Sequence, residues 1–195
     1  MSTPEPPRRG RRRSEAGRQA ILAAAFDLVA DGGSEFTIEG IASRAGVGKQ
    51  TIYRWWPTKG DILLEALAER AESHIATPDR GAYPDDLHHF LAQTFDLLRI
   101  PGVRTALCSL MAEAQLDHAL LQRFRTGFLE RRRLALGQLV ERAHSRGDLP
   151  EDARGELIGD VVFGVIWYRM LATDRPLGDE DVRGLTDLLA LASVR

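Results

Sequence analysis

Side chains that donate hydrogen bonds cluster near residue 50, at Lys49, Gln50, Tyr53 and Arg54. If the surrounding residues form a helix, Ile52 and Trp56 lie one turn apart and face a core, and the donors occupy the opposite side. Such a helix fits the major groove of DNA, where it can contact base edges and phosphates. The alternatives are a solvated face for Lys49 and Gln50, a packed ring for Tyr53, and a solvent contact or an ion pair with the first helix for Arg54.

A preceding short helix would hold the donor helix in place. Thr37 is a good N-cap for it, and its inner face is formed by Ile38, Ile41, Ala42 and Ala45. Gly46 can adopt the left-handed conformation that ends this helix. The second helix runs from about Gly48 to Trp56. Two short amphipathic helices joined by a glycine-containing turn are typical of a helix-turn-helix.

Residues 37–59, TIEGIASRAGVGKQTIYRWWPTK, closely resemble the DNA-binding domain of the TetR family of transcriptional regulators. The matching residues are Thr37-Ile38, Ile41-Ala42, Ala45-Gly46-Val47, Thr51-Ile52-Tyr53, Trp56 and Lys59. The consecutive residues 53–59, YRWWPTK, are similar to a tryptophan-rich subgroup of that family.

The resemblance implies a DNA-binding role for the matching polar residues. Lys49 and Gln50 are expected to reach base edges. Phosphate contacts are expected from Thr37, Thr51, Tyr53 and Lys59. The helix that Thr37 begins also favours an anion at its N-terminus.

The chain departs from the family's pattern at two positions of the second helix. Gly48 replaces a common serine, so it is tolerable as an N-cap but offers no hydroxyl to a phosphate. Gln50 stands where glycine is frequent and adds a side chain that can contact bases. Trp56 is expected in the core, and Trp55 either packs against the fourth helix or touches the DNA backbone.

Charge is distributed unevenly along the chain. Residues 1–60 contain ten basic and six acidic side chains, a net charge of +4, whereas the rest has a net charge of −6. A basic end on an acidic body suggests a polyanionic partner, although a basic tail on a neutral protein is an equal alternative. Residues 1–13 are predicted to form a disordered arm whose Arg11, Arg12 and Arg13 enter the minor groove. The alternative is a solubilising tail.

Helical periodicity continues from Ser14 to the C-terminus, and no alternating strand pattern interrupts it. The predicted fold is all-α, with an N-terminal three-helix helix-turn-helix domain and a C-terminal helical ligand-binding and dimerisation domain. The predicted segments are the helix-turn-helix domain at 14–60, a connecting helix at 61–78, a linker at 79–84 and a regulatory domain at 85–195. Within the last, helices are expected at 85–99, 101–115, 117–145, 152–173 and 179–193.

The family architecture implies dimerisation through the last two helices. Residues 157–168 are more apolar than a surface helix should be. The expected interface residues are Val161, Val165, Val182, Leu185, Leu189 and Ala192. The alternative is that this helix is central to a monomeric core.

A ligand cavity is expected among the middle helices. The candidate lining residues are Phe95, Leu107, Cys108, Met111, Phe124, Phe128, Phe163, Trp167 and Tyr168. Their aromatic and sulfur content suits a small apolar or aromatic effector, although each is individually a candidate for plain core packing. The arginines at 131–133 are interpreted as a solvated face.

Several classes of function are disfavoured. Cys108 is the only cysteine, so an intrachain disulfide is excluded, and a buried inert thiol is favoured over a redox sensor. No metal-ligand spacing, nucleophile–base pattern or glycine-rich phosphate loop is present, so neither a metal, a cofactor nor enzymatic activity is expected. The longest apolar run, 161–168, is too short to cross a membrane, and a cytoplasmic location is expected.

The sequence predicts a homodimeric transcriptional regulator that binds double-stranded DNA. It is expected to be a repressor that a small molecule releases from a pseudo-palindromic operator. One alternative is a DNA-binding regulator without an effector. A second alternative, from a different class, is an enzyme that carries a helix-turn-helix.

Overall fold

The structure is a computed structural model that describes the backbone of residues 9–33, 35–77, 79–150, 152–173 and 175–191, with the side chains of those from 15 to 190. Within these ranges the chain is helical and contains no strand, which confirms the predicted fold class. The helices are α1 Arg9–Ala30, α2 Ile38–Ala45, α3 Lys49–Tyr53, α4 Lys59–His74, α5 Tyr83–Arg99, α6 Val103–Leu116, α7 His118–Phe124, α8 Glu130–Arg146, α9 Gly155–Ala172 and α10 Asp179–Leu191.

Helices α1, α2 and α3 form the N-terminal unit. Helix α1 packs against α2 and α4, and Ile41 and Ile52 are completely buried in this unit. The Thr37 hydroxyl accepts a hydrogen bond from the Gly40 N–H at the start of α2. Gly46 ends α2 in the left-handed conformation, with φ 66°. The predicted N-cap and turn are therefore confirmed.

Helix α1 begins at Arg9, whereas the composition predicts a disordered arm through residue 13 and a helix from Ser14. Arginine has good helix propensity, and only Gly10 opposes a helix in this segment. The helix therefore extends further toward the N-terminus than its apolar pattern indicates. Residues 1–8 lie outside the described residues, and so do the side chains of Arg11, Arg12 and Arg13.

Two helices end earlier than predicted. Helix α3 ends at Tyr53, where the Trp55 amide donates to the Ile52 carbonyl three residues earlier, at 2.9 Å, in a turn tighter than an α-helical one. Helix α4 ends at His74, before the predicted residue 78.

The C-terminal domain contains α5 to α10. The linker lies at 75–82 rather than at the predicted 79–84, because α4 ends earlier and because Tyr83 and Pro84 belong to the first turn of α5, where a proline's missing N–H costs no hydrogen bond. Helices α7 and α8 continue through a π-helical turn, Arg125–Leu129, and together correspond to the long helix predicted at 117–145. Within the described part of the chain, no helix is long and apolar enough to span a membrane.

Helix α4 connects the N-terminal unit to the C-terminal domain, since it packs against α1 and also against α6 and α7. A second contact lies where α6 begins beside the end of α1. Gly102 has φ 84° there, and a Cβ atom on it would lie 2.4 Å from the Cβ of Ala30. Only glycine fits this position, so the approach of α6 to α1 depends on it.

Candidate nucleic-acid interface and ligand cavity

The predicted donor side of α3 is exposed. Ile52 and Trp56 anchor the segment from inside, with 0% and 3% of their surfaces exposed. On the other side, Lys49, Gln50 and Arg54 are exposed, and Thr51 is half-buried. Tyr53 is 57% exposed, which disfavours the packed-ring alternative. Among the described side chains, Arg54 forms no ion pair with an acid of α1, so this face can approach DNA.

Lys49 forms an ion pair with Glu39 of α2, at 2.8 Å between Nζ and Oε1. The hydrogen bond between the two groups raises the pKa of Lys49 and lowers the pKa of Glu39. Both side chains are exposed, so the pair is weak and open to competition. A base edge or phosphate at Lys49 would therefore compete with the Glu39 carboxylate.

Three other predicted DNA-binding residues lie at the same surface. The Thr37 hydroxyl caps α2 and is exposed. Gly48 is the N-cap of α3 and makes no side-chain hydrogen bond. Trp55 is 44% exposed, with its ring 6.2 Å from that of Trp56, so it lies at the surface.

Lys59 is placed differently from the other predicted phosphate ligands. Its Nζ lies 2.7 Å from Oε1 of Glu113 on α6 and 4.7 Å from the centre of the Phe36 ring. The side chain thus bridges the N-terminal unit and the C-terminal domain. Its ammonium group would have to leave Glu113, or share it, to bind a phosphate.

The start of α4 is fixed by a buried carboxylate. Asp61 and Thr58 form a capping box, which the sequence predicts. The Asp61 carboxylate, 7% exposed, also accepts hydrogen bonds from Arg123 of α7 at 2.5 and 3.1 Å. The sequence pattern gives no signal for this last contact, because it joins two helices that are distant in sequence.

A carboxylate of α4 also holds the recognition segment, which comprises α3 and the residues that follow it up to Trp56. The Trp56 indole N–H donates to Glu65 at 2.6 Å, and the Arg18 guanidinium of α1 donates to the same carboxylate at 2.8 Å. The position of α3 is therefore coupled to α4 by a polar contact as well as by packing.

A cavity of about 340 Å³ lies within the C-terminal domain, between the C-terminal end of α4 and helices α5, α6, α8 and α9. Its walls are mostly apolar, which suits a small organic ligand. The lining residues include Ala71, Ile75, Phe90, Thr94, Leu97, Leu98, Leu107, Phe128, Leu129, Phe163, Ile166, Trp167 and Met170, with Arg132, Arg133 and Asp160 as the charged members.

Of the predicted pocket residues, Leu107, Phe128, Phe163 and Trp167 line this cavity. Phe124 is buried behind them, 5.7 Å from the Phe128 ring and 6.2 Å from the Trp167 ring. It supports the wall from behind.

The other predicted pocket residues lie elsewhere. Phe95 lines a smaller neighbouring depression. Cys108 and Met111 are half-buried and outside the lining of the cavity. Burial raises the pKa of the Cys108 thiol, in keeping with an inert residue. Tyr168 is 63% exposed, because its position on α9 faces outward.

The exposed apolar surface differs from the predicted dimer interface. Val182, Leu185 and Leu189 are buried where α10 packs against α5 within the same chain, and Ala192 lies outside the described residues. Val161 and Val165 are half-buried on α9. The large apolar side chains exposed on α9 and α10 are Leu157, Tyr168, Leu171 and Leu188.

The two parts of the chain match two known families. Residues 21–66 match "Bacterial regulatory proteins, tetR family", and residues 77–189 match "Tetracyclin repressor-like, C-terminal domain". The border between them falls at the end of α4.

Individual relatives agree with this assignment. The chain is 35% identical over 181 residues to the HTH-type transcriptional regulator YdeS of Bacillus subtilis, covering 91% of this chain and 90% of YdeS. It is 28% identical to the DNA-binding transcriptional repressor TetR of Mycobacteroides abscessus, covering 94% of this chain and 96% of that protein. The solved TetR family transcription regulator SCO0332 superposes with a TM-score of 0.77 at 27% identity, covering 92% and 99% of the two chains. The chain is therefore a member of the TetR family of helix-turn-helix transcriptional regulators.

Proposed function

We propose that this regulator is a homodimeric repressor that a small apolar or aromatic molecule releases from a pseudo-palindromic operator. One observation carries the proposal. Helix α4 holds the recognition segment at one end, through the contact of Glu65 with Trp56, and its other end forms a wall of the cavity, through Ala71 and Ile75. A ligand that binds two positions of α4 with different affinity would shift the population of DNA-binding conformations.

The repressor assignment draws support from the relative in Mycobacteroides abscessus, whose name describes a DNA-binding transcriptional repressor. A repressor of this kind binds its operator when the cavity is empty and leaves it when the ligand binds. The exposed donors on α3 are the groups proposed to bind the operator bases.

Operator binding can be tested by selecting the preferred duplex from random DNA and footprinting the protein on it. We expect protection of a near-palindrome. Lys49→Ala combined with Gln50→Ala should weaken this binding by more than about tenfold, because each base contact contributes about 1–3 kcal/mol.

The matched control is Arg183→Ala, which removes an exposed cation from α10, far along the chain from the recognition segment. It should leave the footprint unchanged. If the double variant protects the near-palindrome as well as the wild type, or if protection extends evenly over any sequence, specific recognition by α3 is wrong.

The dimer is proposed to form through the exposed face of α9, together with Leu188 of α10. Leu157, Gly164 and Tyr168 recur along this face at intervals of seven and four residues, so they share one side of the helix. Gly164 has open space beside it. A two-fold contact there would present two copies of α3 to two half-sites.

Leu157→Asp combined with Tyr168→Asp should convert the dimer to a monomer, because a buried, unpaired carboxylate is costly in an apolar interface. Sedimentation velocity measures the change. Leu116→Asp is the control, since Leu116 is 92% exposed on α6, and it should remain dimeric. A variant that stays dimeric with both aspartates would place the interface elsewhere.

A further inference from the structure

Three consecutive arginines on α8 are placed in three different environments. Arg131 pairs with Glu72 at 2.5 Å on the outer surface. Arg133 pairs with Asp160 at 2.8 Å and donates to the Glu156 carbonyl at 3.2 Å. Arg132 lines the cavity. The solvated face predicted for this run therefore holds for Arg131 and in part for Arg133, which also borders the cavity, but not for Arg132.

Arg132 forms no salt bridge among the described residues, and the Glu72 carboxylate that attracts it is already paired with Arg131. The one hydrogen bond of Arg132 among these residues is to the Ala71 carbonyl, at 3.3 Å from Nη1. Burial lowers the pKa of Arg132, but a guanidinium remains protonated in proteins. A half-buried cation without a direct ion-pair partner is unfavourable beside an apolar cavity, and an anion bound there would relieve this cost.

The rest of the cavity determines what kind of anion fits. Phe128, Phe163 and Trp167 provide aromatic walls, and its 340 Å³ is near the lower end of the range for ligand sites. The Asp160 carboxylate is already paired with Arg133. The site therefore offers one unpaired cation in a compact apolar space, which suits one small anionic group on an apolar body.

We infer that the cavity binds an amphipathic monocarboxylate, with its carboxylate on the Arg132 guanidinium and its apolar body against Phe128, Phe163 and Trp167. A guanidinium and a carboxylate can form two parallel hydrogen bonds, which gives the contact direction as well as strength. This inference rests on the proposed function, because it names the class of effector for the same cavity.

The position of Arg132 also connects the ligand to the DNA-binding unit. The carbonyl that it contacts, that of Ala71, belongs to the last turn of α4 and also accepts the Ile75 N–H. A carboxylate bound to Arg132 would draw the guanidinium toward the cavity and lengthen its 3.3 Å contact with this carbonyl. Ligand binding would thereby weaken a contact that holds α8 to the end of α4.

The neighbouring depression contains more arginines but is a weaker candidate. Arg99 pairs with Asp96 and Asp179, and Arg169 pairs with Asp181. Arg104 donates to the carbonyls of Met170 and Thr173. Because partners already surround these three cations, and because the fourth, Arg175, is exposed to solvent, they have less need of an external anion than Arg132 has.

The test compares decanoate with decanol, which share an apolar chain and differ in the charged group. Isothermal titration of the full-length protein should show decanoate binding more than about tenfold tighter than decanol. Arg132→Gln should reduce this preference to within about twofold and leave decanol affinity unchanged. Arg132→Lys keeps the positive charge but cannot form the two parallel hydrogen bonds, so it should retain part of the preference.

Arg131→Gln is the matched control, because it removes the neighbouring arginine from the outer surface, and it should keep the full preference. The unchanged decanol affinity of Arg132→Gln reports that its cavity is intact. Equal binding of the two compounds to the wild type, or a preference that survives Arg132→Gln, would overturn the inference and leave the cavity as a ligand site.

Decanoate should also weaken binding of the wild type to its selected duplex by more than about tenfold, and Arg132→Gln should lose this response. If neither compound binds, the monocarboxylate class is wrong, while the footprint still reports operator recognition independently. Tight binding of decanoate without any change in DNA affinity would instead contradict the repressor-release mechanism.

Discussion

At the scale of single residues, the Lys49–Glu39 pair places an acid beside the donors of α3. Because both side chains are exposed, the pair contributes little to folding. Its effect is on the electrostatic potential that approaching DNA encounters, since the Glu39 carboxylate repels phosphates and occupies Lys49.

Replacing Glu39 by glutamine should therefore tighten DNA binding by about two- to fivefold. The reason is the removal of a competing anion, so the gain should shrink as salt concentration rises. Fluorescence anisotropy of a labelled duplex over a salt series measures it. The control is Asp187→Asn, which removes the negative charge of an exposed residue on α10 and should change DNA affinity far less. Weaker binding by Glu39→Gln would mean that Glu39 orients Lys49 for the bases.

The outward direction of Lys49, Gln50, Tyr53 and Arg54 could be predicted from the sequence, because helical periodicity relates them to Ile52. Partners distant in sequence could not be predicted this way. Glu113 at Lys59 is the clearest example, since nothing in residues 37–59 specifies which acid of another helix will approach. Similarly, periodicity places Arg132 on a helix, but it does not show that Arg132 is the one arginine of residues 131–133 that forms no ion pair.

At the scale of helices, the contact between Arg123 of α7 and Asp61 of α4 fixes the start of α4. Asp61 is buried, whereas the Arg123 side chain is 40% exposed, so solvent weakens the pair in part. Removing the cation nevertheless leaves a buried carboxylate with only the Thr58 donors.

Arg123→Gln should lower the free energy of unfolding by about 1–2 kcal/mol, measured by urea denaturation. Adding Asp61→Asn should cost less than the sum of the two single changes, because the pair acts as a unit. Arg131→Gln removes an exposed pair with Glu72 and should cost less than about 0.5 kcal/mol. Strict additivity of the two changes would contradict the coupling.

Helix existence was predictable from periodicity, and helix ends were predictable where a local signal exists. Thr37, Gly46 and the Thr58–Asp61 capping box are such signals, and each is confirmed. The start of α1 at Arg9 has no cap or apolar pattern to mark it. Tertiary packing also redirects apolar faces, and α10 buries its predicted interface stripe against α5 for this reason.

At the scale of the whole molecule, charged groups at the base of the C-terminal domain join α5, α8 and the linker before α5. Arg146 contacts the carboxylates of Asp79, Asp86 and Asp148, and the Arg80 amide donates to Asp86 at 2.6 Å. Burial alone would raise the pKa of Asp86, but these hydrogen bonds outweigh it and hold the pKa below its ordinary value of 3.8.

The protein should therefore lose stability as the pH falls below about 3.8, because the unfolded chain then binds a proton more readily than the folded one. Above that pH the contribution of Asp86 is fully present. Asp86→Asn should cost about 2 kcal/mol from pH 7 down to about pH 4 and progressively less below that. Denaturation curves between about pH 7 and pH 2 measure this, with Asp187→Asn as the control. A constant cost of Asp86→Asn across this range would contradict the assignment.

The π-helical turn Arg125–Leu129 sets the rotational phase between α7 and α8. In a continuous α-helix, Arg123 and Arg132 would lie about 180° apart, so one helix could present only one of them to α4. The wide turn absorbs about one residue and brings them within roughly 80° of each other. Arg123 thereby reaches Asp61 at the start of α4 while Arg132 reaches Ala71 near its end. Removing Gly127 would leave eight residue steps between the two arginines, which a regular α-helix also places about 80° apart, so the single extra residue of the wide turn could be lost while both contacts to α4 are kept.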